Sequence, residues 1–171
     1  KVNKVLSPIK MVNDSVFSHP NVMILVMESF GREYIGAFNK NRNIKDYVSY
    51  TPFLDSLSNN SLIFTNAYAN GRQSIEALPS ILASIPSFKI PFTSSPYANQ
   101  EIQSLVSVFN KKGYSTSFFH GAPNGSMGFL GLSNILGFDN YFGKNEFNDN
   151  SLYDGFWGIW DEPFLHYCMF K

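Results

Sequence analysis

An α/β domain, with a mainly parallel sheet flanked by helices, is the fold class that this sequence predicts. Three observations carry it. Residues 22–27 form an unbroken apolar run, the habit of a strand buried on both faces of a parallel sheet. Strand-like and helix-like stretches then alternate along the chain, as in βαβ units. The composition is 44% hydrophobic and 16% aromatic, far from that of disordered chains. A length of 171 residues is enough for one domain with a genuine core.

Residues 1–20 are polar, weakly periodic and end on His19-Pro20, which predicts a leader or linker. The run 22–27 follows as the first strand, closed by Glu28. A buried helix segment is the alternative, but Ser29-Phe30-Gly31 stops the run at once. Thr51 and Pro52 predict a short helix carrying Phe53, Leu54 and Leu57, with Thr51 as N-cap and Pro52 in the first turn. Residues 62–65 are a second strand. Beyond the loop 66–72, Ile75, Leu78, Ile81 and Leu82 fall at helical spacing, so a helix begins near Ser74. Pro79 lies inside that pattern and should shorten or kink it. Residues 84–96 hold three prolines and read as an irregular connection. Ile102, Leu105, Val106 and Phe109 form another helical stripe, closed by Lys111-Lys112-Gly113. Residues 114–119 are a strand ending at His120-Gly121. A glycine-rich segment follows, then a helix over 130–136 and a short strand or loop at 138–142. Asp161-Glu162-Pro163 opens the final helix.

Lys plus Arg and Asp plus Glu are both 13, giving neutrality at pH 7. With no basic stripe, nucleic-acid binding is not expected. The one cysteine, Cys168, forms no internal disulfide and leaves the redox compartment open. No apolar run is long enough to span a bilayer, and no signal peptide is recognisable. The sequence starts at Lys1 rather than Met, which predicts a piece of a longer protein.

In open α/β sheets ligands bind outside the carboxyl ends of the strands. Three polar features fall at such places: Glu28, the loop reaching Ser74, and His120. A carboxylate at a buried strand end must be paired or metal-bound, so Glu28 is either a metal ligand or the partner of Arg32 or Arg72. A serine at a helix start is commonly an N-cap. Its sharper reading places the hydroxyl at the positive end of a helix, where an oxyanion or phosphate is stabilised. His120 by itself suits a structural, hydrogen-bonded role.

Taken together, four ordered segments look familiar: Met27-Glu28-Ser29-Phe30, residues 67–81 around Gly71-Arg72-Gln73-Ser74, Phe119-His120-Gly121, and Gly158-Ile159-Trp160-Asp161-Glu162. They resemble the lipoteichoic acid synthase-like branch of the sulfatase/alkaline phosphatase superfamily, in its Bacteroidetes-type form, and the likeness covers nearly the whole chain. It implies that residues 21–171 are the N-terminal part of an alkaline phosphatase-like catalytic domain. Glu28 would bind a divalent cation, manganese in most members, together with Ser74. The metal-bound Ser74 hydroxyl would be the nucleophile. It would take a phosphoglycerol or phosphoethanolamine group from a lipid and pass it to a glycan or polymer acceptor of the envelope. Arg72 and His120 would contact the substrate.

The resemblance weakens after His120, where the synthases carry an acidic residue, a Trp and an Arg. Ala122, Met127 and Phe129 stand there by ungapped count, which removes a bidentate phosphate contact. Sulfate ester hydrolysis through formylglycine is disfavoured as well. That motif needs Pro two residues and Arg four residues after the modified residue, and Ser74 is followed by Glu76 and Leu78. Cys168 lies too near the end to carry it. The family also completes its metal site with an Asp-His pair, and the sequence contains none. His166 reads as a packing residue. Two donors hold a transition metal weakly, so this segment by itself is expected to be inactive and its parent to be an enzyme. The parent is expected to be anchored by N-terminal transmembrane helices, with this domain outside the cytoplasmic membrane. Truncation would expose a sheet edge and apolar surface, favouring homo-oligomers. The alternatives are a phosphodiester or sulfate ester hydrolase, and a non-catalytic domain binding envelope glycans or partners.

Overall fold

The computed structural model describes residues 19–40, 42 and 44–171. The leader or linker expected over 1–20 therefore lies outside the described residues except for His19 and Pro20. The chain divides between Ser61 and Leu62 into two units.

In the first unit, residues 22–27 adopt no strand among the described residues, and all six are exposed, Met23 by 85%. Apolar character favours a strand only where a neighbour supplies the hydrogen-bonding ladder. No other strand stands among the described residues of this unit. Helix α1 (Pro52–Ser58) is present with Pro52 in its first turn. Thr51 occupies the N-cap position but caps nothing with its side chain. Its Oγ1 instead accepts the Gly36 N–H at 3.2 Å, while Asp55 Oδ1 accepts the Ala37 N–H at 2.7 Å. Those bonds tie α1 to a 3₁₀ turn at Gly36–Phe38. The buried Asn39 amide donates to the carbonyls of Glu33 and Ile35, both at 2.9 Å.

The second unit carries the core. Residues 62–65 are exposed and form no strand. Helix α2 (Ser74–Ala83) begins where expected and runs through Pro79. Its buried stripe is Ile75, Leu78, Pro79 and Leu82. Pro79 thus takes the i+4 place, and Ile81, 47% exposed, faces out. Helix α3 (Leu105–Lys111) starts later than its apolar stripe, because Ser104 is its cap. The Ser104 hydroxyl accepts the Ser107 N–H at 2.9 Å and donates to the Leu136 carbonyl at 2.6 Å, pinning α3 to helix α4 (Phe129–Leu136).

Strand β1 (Ser117–Phe119), α4 and strand β2 (Asn140–Phe142) make a βαβ unit whose strands pair in parallel, Phe118 opposite Tyr141. Asp139 fixes that register. Its Oδ2 accepts the Thr116 N–H at 2.8 Å and hydroxyl at 3.0 Å, and its own N–H donates to Thr116 Oγ1 at 3.1 Å. Alternation sends Phe118 and Tyr141 to one face, where they stack and pack on the core of Ile75, Leu78, Leu82, Phe92, Val106, Phe129, Leu132 and Leu136. Phe119 and Phe142 stack on the other face, and Phe142 meets Tyr167 of helix α6 (Asp161–Met169) edge-on. A short helix α5 (Lys144–Phe147) follows β2. The parallel pair is therefore helix-flanked on both sides, as predicted.

Candidate functional site

The start of α2 is built on Gly71. Its φ of +136° is backbone that side chains avoid, and a Cβ there would stand 2.7 Å from Glu76 Cβ. The chain thus passes close enough for Glu76, third in the helix, to reach back. Its Oε2 accepts the N–H groups of Arg72 at 2.7 Å and Gln73 at 3.2 Å, and its Oε1 accepts the Ser87 hydroxyl at 2.8 Å. The Arg72 N–H, the largest influence, and the Ser87 hydroxyl hold the Glu76 carboxyl below the usual carboxylate range, against the effect of burial. Ser87 also donates its N–H to Asn70 Oδ1 at 3.3 Å. The loop before α2 and the segment after it are thereby laced together.

Gln73 is the N-cap and Ser74 the first helical residue, half-buried. The N-cap alternative for Ser74 does not hold, because Gln73 fills that post. Its neighbour Gln73 lines a polar pocket of about 660 Å³, with Gly71, Arg72, Glu76, Ser87 and Lys89 among the other walls; Ser74 itself does not line it. Arg72 and Lys89 outnumber the ionised Glu76 among the lining side chains, so the pocket is weakly cationic.

His120 follows β1 directly, as the sequence indicated. Its N–H extends the ladder to the Phe142 carbonyl at 3.0 Å. Its Nδ1 lies 3.3 Å from the Tyr141 hydroxyl, and its ring stands edge-on to Phe129 at 4.6 Å. Burial first, then the Glu146 charge, push the Tyr141 phenol up to about 12. Phe129, which stands where the synthases carry another residue type, is a core residue here. The loop after His120 is held by neighbours: the Gly121 carbonyl accepts the Ile159 N–H at 2.6 Å and the Ala122 carbonyl the Lys144 N–H at 3.1 Å. His166 is exposed on α6, which corrects its reading as a packing residue.

Glu28 is exposed in a turn of the first unit, next to Ser29 with φ 55°. Among the described residues no group of three or more His, Cys, Asp or Glu side chains is placed to hold a metal ion. Sequence reasoning missed Lys89, hidden in a proline-rich connection, and the work of Glu76. The spacing Gln73-x-x-Glu76 is that of a capping box and could have revealed the latter.

Comparison with known proteins settles the family. Residues 20–169 match the family model described as Sulfatase. The chain belongs to the sulfatase family. This sulfatase-family chain is also similar in fold to the lipoteichoic acid synthase LtaP from Listeria monocytogenes, with TM-score 0.62 and 24% identity over 70% of this chain and 29% of that one. A protein in the alkaline phosphatase superfamily from Vibrio parahaemolyticus gives TM-score 0.58 and 20% identity over 68% of this chain and 29% of that one. The chain thus spans less than a third of either structure, and its fold is that of the alkaline phosphatase superfamily. Among curated proteins none matches. No helix among the described residues is long and apolar enough to cross a membrane.

Proposed function

We propose that this chain supplies the nucleophile of a metal-dependent transferase that moves a phosphate-containing headgroup, phosphoglycerol or phosphoethanolamine, from a lipid to an envelope acceptor. The observation that carries the proposal is the placement of Ser74 as first residue of α2, next in sequence to Gln73, which with Arg72 and Lys89 lines a weakly cationic pocket. The positive dipole end of a helix favours an anion. Membership of the sulfatase family supports a hydrolase or phosphotransferase role.

In this reading the Ser74 Oγ loses its proton and forms a bond to phosphorus. The bond from phosphorus to the diacylglycerol oxygen breaks, and that oxygen takes a proton. An acceptor hydroxyl then attacks the same phosphorus and releases Ser74. Arg72 orients the phosphate oxygens and His120 contacts the headgroup. A divalent cation, manganese in our proposal, would lower the pKa of the hydroxyl it binds. Glu28 carboxylate and Ser74 hydroxyl are hard oxygen donors that suit such an ion, and further ligands must come from elsewhere. The site would lie on the extracytoplasmic side of the membrane, where envelope acceptors are found.

The test uses the full-length protein with manganese and labelled phosphatidylglycerol or phosphatidylethanolamine. Diacylglycerol release is expected, falling at least ~10³-fold in a Ser74→Ala variant, as when other enzymes lose a nucleophile. Undiminished release in that variant would sink the assignment. Release of free headgroup to water, with aryl phosphate or aryl sulfate also cleaved, would favour the hydrolase reading. The absence of the formylglycine motif around Ser74 and Cys168 weighs against sulfate.

A further inference from the structure

Asn-Gly occurs twice in the chain, at Asn70-Gly71 and Asn124-Gly125. Such pairs share one intrinsic reactivity, because glycine has no side chain to shield its amide nitrogen from the preceding carboxamide. The fold treats the two in opposite ways. Asn124 is clamped at both ends of its carboxamide. Its Nδ2 donates to both oxygens of Glu146 at 3.0 Å, and its Oδ1 accepts the Asn145 N–H at 3.3 Å. Its backbone is closed in a turn by the Ser126 N–H, which donates to the Pro123 carbonyl at 2.8 Å. Asn70 is exposed, and its carboxamide is held only by a long hydrogen bond from the Ser87 N–H, at 3.3 Å. Gly71 beside it has a φ of +136°, backbone that other residues avoid.

We infer that Asn70 is a site of spontaneous covalent modification, deamidating through a cyclic imide with Gly71, while Asn124 is held inert. The Gly71 backbone nitrogen attacks Asn70 Cγ and a new C–N bond forms. The Cγ–Nδ2 bond breaks, the proton of the Gly71 nitrogen passes to the departing group, and ammonia leaves. Solvent water then opens the ring at one of its two carbonyls. Opening at Cγ leaves aspartate. Opening at the backbone carbonyl leaves isoaspartate, whose main chain is longer by a methylene. Either product carries a new carboxylate between Ala69 and Gly71, which both line the pocket of Arg72 and Lys89. That charge offsets the small excess of cations over Glu76. The longer main chain of isoaspartate also breaks the spacing at which Gly71 approaches Glu76. The reaction therefore alters, with time rather than with ligand, the loop that leads into Ser74.

Peptide mapping of the full-length protein by mass spectrometry tests this, after ageing in mildly alkaline buffer. The peptide that holds Asn70 should gain the mass difference between an amide and an acid. It should also split into two chromatographic forms, one of them labelled by an isoaspartate-specific methyltransferase. In the native protein Asn124 should react at least about tenfold more slowly, since its carboxamide must first break a hydrogen bond to a charged group. In urea-unfolded protein the two sites should react at similar rates, which assigns the difference to the fold. Glu146→Ala should release Asn124 and leave the rate at Asn70 unchanged. Asn70→Gln should abolish the first signal, because the longer side chain closes a ring far less readily. Equal native rates at the two sites, no mass gain at Asn70, or a difference that persists in the unfolded protein would overturn the inference. Neither metal nor turnover enters the measurement, so its failure leaves the role of Ser74 standing.

Discussion

At the residue scale, Glu76 decides whether α2 starts where Ser74 can be used. Its carboxylate takes the N–H groups of Arg72 and Gln73 and the hydroxyl of Ser87, and these bonds depress its pKa. A depressed carboxyl contributes stability that is present above its unfolded pKa and lost as pH falls through the lower folded value. Thermal melts of Glu76→Gln should therefore lie below those of the wild type at neutral pH. The two should converge on acidification below the ordinary carboxylate range, about pH 4. A constant offset across that range would contradict the role. Gly71→Ala puts a Cβ into strained backbone against the Glu76 stem. It should cost about 1–3 kcal/mol in denaturant unfolding, and a neutral result would show that the loop relaxes without effort.

At the scale of elements, β1, α4 and β2 hold most of the order. Leu132 and Leu136 of α4 are fully buried, so Leu132→Ala should cost ~2–5 kcal/mol. Ile81→Ala, on the outer face of α2, should fall within ~0.5 kcal/mol of wild type. Equal effects at the two positions would mean that the core is misplaced. Much of this was legible in the sequence. The stripe at Val106, the Lys112-Gly113 stop and the helix over 130–136 are local signals, while the strand before His120 forms because β2 pairs with it. Residues 22–27 and 62–65 were read as strands from apolar content alone. A strand, unlike a helix, needs a partner, and neither run is paired among the described residues. Pro79 does not end α2 either: it takes a buried place inside the helix, while Ile81 faces out.

At the scale of the whole molecule, the candidate site was only partly legible. Ser74 and His120 could be named because each sits at the carboxyl side of a strand-like run or at a helix start, whereas Arg72 as a substrate contact came only from the family resemblance. Lys89 could not, because nothing in a proline-rich stretch announces which side chain turns toward a pocket. The metal ligands are the least readable part, since donors far apart in sequence meet only through tertiary structure. Chelation gives a direct check on that part. EDTA should abolish diacylglycerol release by the full-length protein and added Mn²⁺ should restore it, whereas release that survives chelation would remove the metal from the account.

The most direct measurement of the central claim is mass spectrometry of the full-length protein, quenched after incubation with Mn²⁺ and phosphatidylglycerol or phosphatidylethanolamine. A phosphoglycerol or phosphoethanolamine adduct is expected on the peptide that contains Ser74, absent from Ser74→Ala. Turnover with an unmodified Ser74, or an adduct on another residue, would contradict it.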